Sequence, residues 1–166
     1  MTIEAINSMP RAAFVEALGW VFEHSPWVAE RAWERRPFAN IDALHSAMRD
    51  EVERATRDEQ LALLRAHPDL GTRLRVSAAS QSEQAGAGFD QLEPGLFEHL
   101  QHLNSEYREK FGFPFIYAVK GSSQEDILGD LIIRMDSTAE QAVQEALYEV
   151  YRIAYFRLEQ IFDNRS

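Results

Sequence analysis

The stretch Thr138–Phe162, "TAEQAVQEALYEVYRIAYFRLEQIF", decides the fold class. Val143, Leu147, Val150, Ala154, Leu158 and Ile161 recur at spacings of three and four, which places them on one face of a helix. Nothing in the chain shows period-2 alternation long enough to build a sheet. Upstream, residues 123–134 read as another helix. Leu96, Leu100, Leu103, Tyr107 and Phe111 make a longer one, with Gly112 as its C′ residue. "FPFIYAV" (residues 113–119) reads as extended or loop-like.

The first half follows the same pattern. In "AAFVEALGWVFEHSPW" (residues 12–27), Phe14, Leu18, Val21 and Phe22 line one helix face, and Pro26 stops or redirects the helix. "WVAERAWERR" predicts a second short helix ended by Pro37. Asn40 is an N-cap for the next, where Ile41, Leu44, Met48 and Val52 form a stripe. Residues 58–66 predict a further helix, closed at the His67–Pro68 corner because the residue before proline is pushed out of the α region. Ser77 or Ser80 caps a brief helix running to Gly86. The expectation is a single all-α domain over residues 1–166, a bundle of about seven to nine helices.

Composition bounds the function. The formal charge of −10, from 17 basic and 27 acidic side chains, repels phosphate backbones and anionic membranes, so neither nucleic acid nor a membrane is an expected partner. The apolar patterns carry charges throughout and fall short of a membrane span, and the N-terminal segment lacks the features of a secretion signal. The absence of cysteine excludes disulfides, thiolate metal sites and a thiol nucleophile, and fits a reducing cytoplasm. Lys110 and Lys120 are the only lysines, so Schiff-base chemistry has few candidates. No Gly-rich phosphate loop, HExxH or GxSxG is present. His99 and His102 stand three apart but have no obvious third ligand, so a solvated helix face competes with a metal site.

Four features carry chemistry. In "RAHPDLG" (residues 65–71) a titratable ring stands at a stiff corner; either the corner merely ends a helix, or it holds His67 still. In "SQSEQ" (residues 80–84) Ser80 and Glu83 make a capping box, yet the short helix they open also offers an acid, the Gln84 amide and free backbone amides. Asn104, Tyr107 and Phe111 share a helix face, and the segment after them presents backbone N–H groups from Phe115 onward beside aromatic rings. That segment is either a hydrophobic turn or a wall of donors for a flat heterocycle. Arg157 lies within or at the edge of the apolar stripe of the last helix. It is either a structural ion pair or a clamp for a carboxylate or ureide.

"FEHSPWVAERA" with "RPF", "HPDLG", "SQSEQAGAGFDQL", "NSEYREKFGFPFIYAVKG" and "IAYFRL" occur in the order and approximate spacing of one family. The chain resembles the decarboxylases of 2-oxo-4-hydroxy-4-carboxy-5-ureidoimidazoline (OHCU), the last enzymes of the uricase route from urate to (S)-allantoin. The resemblance runs from about residue 5 to residue 160. It implies an all-α bundle, usually a homodimer, using no metal and no organic cofactor. His67 matches the catalytic histidine and Glu83 the second catalytic group. Pro68, Ser80, Gln84, the main chain of Phe115, Ile116 and Val119, and Arg157 match the substrate-binding set. "AGFD" replaces the more usual "AGLD", a conservative change. Eukaryotic members often carry a peroxisomal address; this chain ends in "FDNRS", and a bacterial cytoplasmic member is the expectation.

Two other readings of the residues remain. A hydrolase opening a cyclic ureide would want a metal or an activated water and would release an open-chain acid instead of CO₂. A non-catalytic helical interaction module would leave His67, Glu83 and Arg157 scattered.

Overall fold

A computed structural model of the chain describes residues 1–69 and 94–163. All regular structure among the described residues is helical, with eight α-helices and one 3₁₀ turn. The chain forms two compact units. The first comprises residues Met1–Ala66 and Tyr151–Ser166, the second His67–Val150.

The first unit begins with α1 (Ile3–Asn7) and α2 (Arg11–Leu18), then the 3₁₀ turn (Gly19–Val21), α3 (Trp27–Trp33), α4 (Ile41–Arg54) and α5 (Arg57–Ala66). Helix α1 was not expected; Thr2 caps it by accepting from the Ala5 amide, and it buries Ile6. The predicted core is present: Phe14, Leu18, Val21, Phe22, Leu44, Met48 and Val52 are all buried. Asn40 caps α4, its side chain accepting from the Ala43 amide at 2.8 Å.

Two boundaries differ from the sequence reading. Helix α2 stops at Leu18, not near Pro26, and the chain tightens into the 3₁₀ turn before Phe22 becomes extended. Gly19 weakens a helix interior by ~1 kcal/mol relative to alanine. The tighter turn still buries both Val21 and Phe22. The chain also folds back here, so that a Cβ on Gly19 would lie 3.4 Å from that of Pro26. Helix α3 ends at Trp33, ahead of Pro37, and i→i+3 bonds from the Arg35 and Arg36 amides wind down its last turn. Arg36 and Phe38 of the "RPF" motif serve this packing. The Arg36 guanidinium donates to the carbonyls of Asn7 and Met9, and the Asn7 side chain exchanges two hydrogen bonds with the Phe38 backbone.

The second unit holds α6 (Pro94–Phe111), α7 (Gln124–Arg134) and the first half of α8 (Ala139–Asp163), whose residues from Tyr151 onward belong to the first unit. Along α8, Val143, Leu147, Val150, Ala154 and Leu158 are buried, as the stripe predicts, while its last member, Ile161, is half-buried. Gly112 ends α6 as expected, at φ +84°, where a side chain would strain the backbone. A full capping box of Ser123 and Asp126 opens α7. No helix among the described residues is long and apolar enough to cross a membrane.

Candidate active site

Helix α5 ends at Ala66, so His67 stands at the helix exit immediately before Pro68, as the proline rule requires. The imidazole is 5 % exposed, while Pro68 is exposed. A histidine this enclosed needs hydrogen-bond partners, and the proline ring after it stiffens the corner. Glu83, Ser80 and Gln84, with the brief helix predicted around them, lie outside the described residues.

The segment after α6 is built as a strapped loop. Tyr107 sits at the centre of an aromatic cluster, with ring centroids 4.6, 5.9 and 5.4 Å from those of Phe111, Phe113 and Phe115. Burial pushes the Tyr107 phenol pKa up, and the Arg134 charge acts against it. Three side chains then take up backbone groups of the loop. The Phe115 amide donates to Asn104 Oδ1 at 3.3 Å, the Ala118 amide donates to Glu149 Oε1 at 2.9 Å, and Arg134 Nη1 donates to the Ile116 carbonyl at 3.0 Å. The expected wall of donors is therefore narrower than the sequence implied, because two of its amides are already bonded. The amides of Ile116 and Val119 have no partner among the described residues.

Asn104, Arg134 and Glu149 are all buried. The sequence reading placed Asn104 on the right helix face and did not single out the other two. A signal for Arg134 was present: Ile127, Leu131 and Arg134 follow i, i+4, i+7 spacing, which puts a guanidinium on an apolar stripe.

Arg157, in the first unit, has firm protein partners. Its Nη1 donates to the carbonyls of Trp20 and Val21, each at 3.1 Å, and Nη2 pairs with Glu23. Glu23 is presented by a tight corner in which the next residue, His24, has φ +45°, a conformation uncommon for a residue with a side chain. Arg157 therefore satisfies the structural reading. Its Nε–H has no protein partner among the described residues, so a further acceptor is chemically possible.

Other candidates resolve simply. His99 and His102 are exposed on α6, and His102 lies 3.0 Å from Glu106 one turn on. A cavity of about 410 Å³ is lined by Asp130, Arg134, Glu145, Tyr148 and Glu149 among others. Its carboxylates outnumber its guanidinium, so it is a poor host for an anion. In the first unit, His45 of α4 lies 2.8 Å from the Tyr151 carbonyl and edge-on to Tyr155. Burial lowers its pKa, with the bond to that carbonyl acting the other way.

Comparison with known proteins adds one decisive observation. The profile of the family described as OHCU decarboxylase matches residues 7–159. The chain belongs to the OHCU decarboxylase family. The 2-oxo-4-hydroxy-4-carboxy-5-ureidoimidazoline decarboxylase of Halalkalicoccus jeotgali is 48 % identical over 161 residues, covering 97 % of this chain and 92 % of that protein. Its namesake in Haloferax volcanii is 46 % identical over 164 residues, covering 99 % and 98 %. The crystal structure of (S)-allantoin synthase superposes with a TM-score of 0.80 at 32 % identity; 97 % of this chain matches 54 % of that one, so the chain spans about half its length. The crystal structure of OHCU decarboxylase in the presence of (S)-allantoin gives a TM-score of 0.67 at 19 % identity, which shows the shared fold. The all-α architecture is thus that of the OHCU decarboxylases.

Proposed function

We propose that this chain is a carboxy-lyase that converts OHCU to (S)-allantoin in urate degradation, without a cofactor. The observation that carries the reading is family membership across residues 7–159. That span crosses both compact units, which supports treating residues 1–166 as one catalytic domain.

The chemistry explains the residue types. One ring carbon of the substrate bears a hydroxyl and the departing carboxylate; its neighbour is an imine carbon bearing the ureido group. When the C–CO₂ bond breaks, its electron pair moves into the adjacent C=N, so the electron sink is already in the substrate. The hydroxyl proton leaves as that carbon becomes a carbonyl. One proton adds to the ring nitrogen and one to the neighbouring carbon, so one proton from water is consumed per CO₂ released. Addition from a single face sets the (S) configuration.

His67 takes the hydroxyl proton in this scheme, since an imidazole exchanges protons near neutrality, and positioned acid–base groups contribute ~10²–10⁴-fold. Its enclosure at the rigid corner supports a fixed ring. Glu83 delivers the facial proton or orients His67. Ser80, Gln84, Pro68, the main chain of Ile116 and Val119, that of Phe115 through its carbonyl because Asn104 holds its amide, and Arg157 hold the ring and ureide and offset developing negative charge. Orientation matters as much as charge, because the breaking bond must stand perpendicular to the ring to overlap the C=N. A homodimer and a bacterial cytoplasmic setting complete the proposal; both rest on the resemblance, and the lack of cysteine fits a reducing cytoplasm.

The test generates OHCU in situ with uricase and the preceding hydrolase and follows chiral allantoin by circular dichroism. The expected result is rapid formation of the (S) enantiomer, abolished in a folded His67→Asn variant. No acceleration over the racemic uncatalysed decay would overturn the assignment. Near-normal turnover by His67→Asn would remove that residue from the mechanism.

A further inference from the structure

The 113–119 loop is tied down by three buried polar side chains from three helices. We propose that Asn104 of α6, Arg134 of α7 and Glu149 of α8 are positioning residues that select which backbone amides of this loop receive the substrate. The inference rests on the decarboxylase reading and names the residues that shape its backbone donors.

The pattern of bonding is selective. Asn104 occupies the Phe115 amide, and Glu149 occupies the Ala118 amide. Arg134 grips the carbonyl between them, that of Ile116, and its guanidinium carbon lies 4.3 Å from the centre of the Phe115 ring. These contacts fix the peptide plane that follows Ile116 and the planes that carry the Phe115 and Ala118 amides, so the Ile116 N–H is held between two anchored planes. Flanking these anchors, the amides of Ile116 and Val119 have no protein partner among the described residues. Ile116 is fully buried, and a buried N–H without an acceptor is rare and costly. An oxygen of a flat ureide ring supplies the missing acceptor.

Arg134 shows that these straps are not there for stability alone. It is 4 % exposed, yet its Nε and Nη2 make no hydrogen bond. Glu145 stands 3.8 Å from Nε, near enough to offset charge but not to bond. Arg134 Nη1 also meets Asp130 at 3.3 Å, and replacing such a buried pair by an apolar side chain of similar volume is often neutral or stabilising. What it could not do is hold the Ile116 carbonyl.

The experiment has two arms. In the first, backbone amide NMR shifts of the wild-type chain are recorded with and without (S)-allantoin. The expected result is that Ile116 and Val119 move most, while Phe115 and Ala118, already bonded, move least. Movement centred on Phe115 and Ala118, or none in the loop, would overturn the proposal. The second arm compares Glu149→Gln, which keeps an acceptor for the Ala118 amide, with Glu149→Leu, which does not. Glu149→Leu should raise KM about tenfold, the size of one lost hydrogen bond, with a smaller change in kcat and a loss of enantiomeric excess. Glu149→Gln should restore both to near wild type. Equal behaviour of the two variants counts against the role. If Glu149→Leu does not fold, the wild-type amide shifts decide the question. Wild-type chain that makes (S)-allantoin while both arms fail refutes only the positioning role; wild-type chain that makes none refutes the decarboxylase reading itself.

Discussion

Replacing Arg157 with lysine separates its structural duty from its proposed contact with substrate. In the folded chain the guanidinium holds three acceptors, the carbonyls of Trp20 and Val21 and the carboxylate of Glu23. Lysine presents its donors from a single point and cannot reproduce the fork. Keeping the ion pair, it forfeits the two carbonyl bonds, worth ~1 kcal/mol each, or ~2 kcal/mol together. The side chains of Arg157 and Glu23 are 23 % and 20 % exposed, so solvent screening holds the ion pair itself to ~1 kcal/mol or less. For a domain of this size each kcal/mol lowers Tm by ~2–4 °C, so Arg157→Lys should lower it by ~4–8 °C. Glu23→Gln, which leaves the carbonyl bonds in place, should cost ~4 °C at most. Thermal unfolding followed by far-UV circular dichroism measures both. An unchanged Tm for Arg157→Lys would refute the anchoring argument. A lowered Tm with full allantoin-forming activity below the transition would confine the arginine to structure and remove it from the proposed substrate set.

Two further outcomes are expected. Asn40→Ala removes the cap of α4 and should cost ~1 kcal/mol, read as a lower denaturant midpoint at unchanged slope; no shift would mean that the Ala43 amide finds another partner. His45 has a folded-state pKa below its ordinary value of 6.5, so as pH falls the unfolded chain binds the proton first. Its contribution is intact above about pH 6.5 and is lost as pH falls below that value. His45→Gln should therefore lose less stability than wild type between neutral and mildly acidic pH, and parallel stability curves would contradict the assignment.

The helices were legible wherever one side of the chain is apolar at a spacing of three and four. The stripes of α4 and α8 and the Gly112 stop could be read directly, because helix period and glycine conformation are local properties. Local pattern also holds the signal for the start of α5, one residue before the predicted 58: Thr56 and Glu59 make a reciprocal cap that starts the helix at Arg57. The early end of α2 was not legible, since it depends on where Pro26 returns, a tertiary matter. Among the candidate site residues, His67 could be placed by the proline rule alone, but its burial could not. The partners of Arg157 were out of reach, as Glu23 lies 134 positions away in the chain. Arg134 meets the same test as Arg157, a cation on an apolar stripe, but lies outside the segments that carry the family resemblance. The loop's selective bonding could not be read at all, because it depends on three side chains from three separate helices.

The division of α8 between the two units bears on how the chain is made. Residues 67–150 are contiguous, so this unit can assemble as soon as it leaves the ribosome. The first unit cannot, because Tyr151, Ala154 and Leu158 of its core are synthesised last. Until then His45 lacks its carbonyl partner, and Asp42 and Glu53 lack the tyrosine hydroxyls that bond them. Nascent chains halted before residue 151 should therefore hold a protease-resistant second unit beside a first unit that chaperones still recognise.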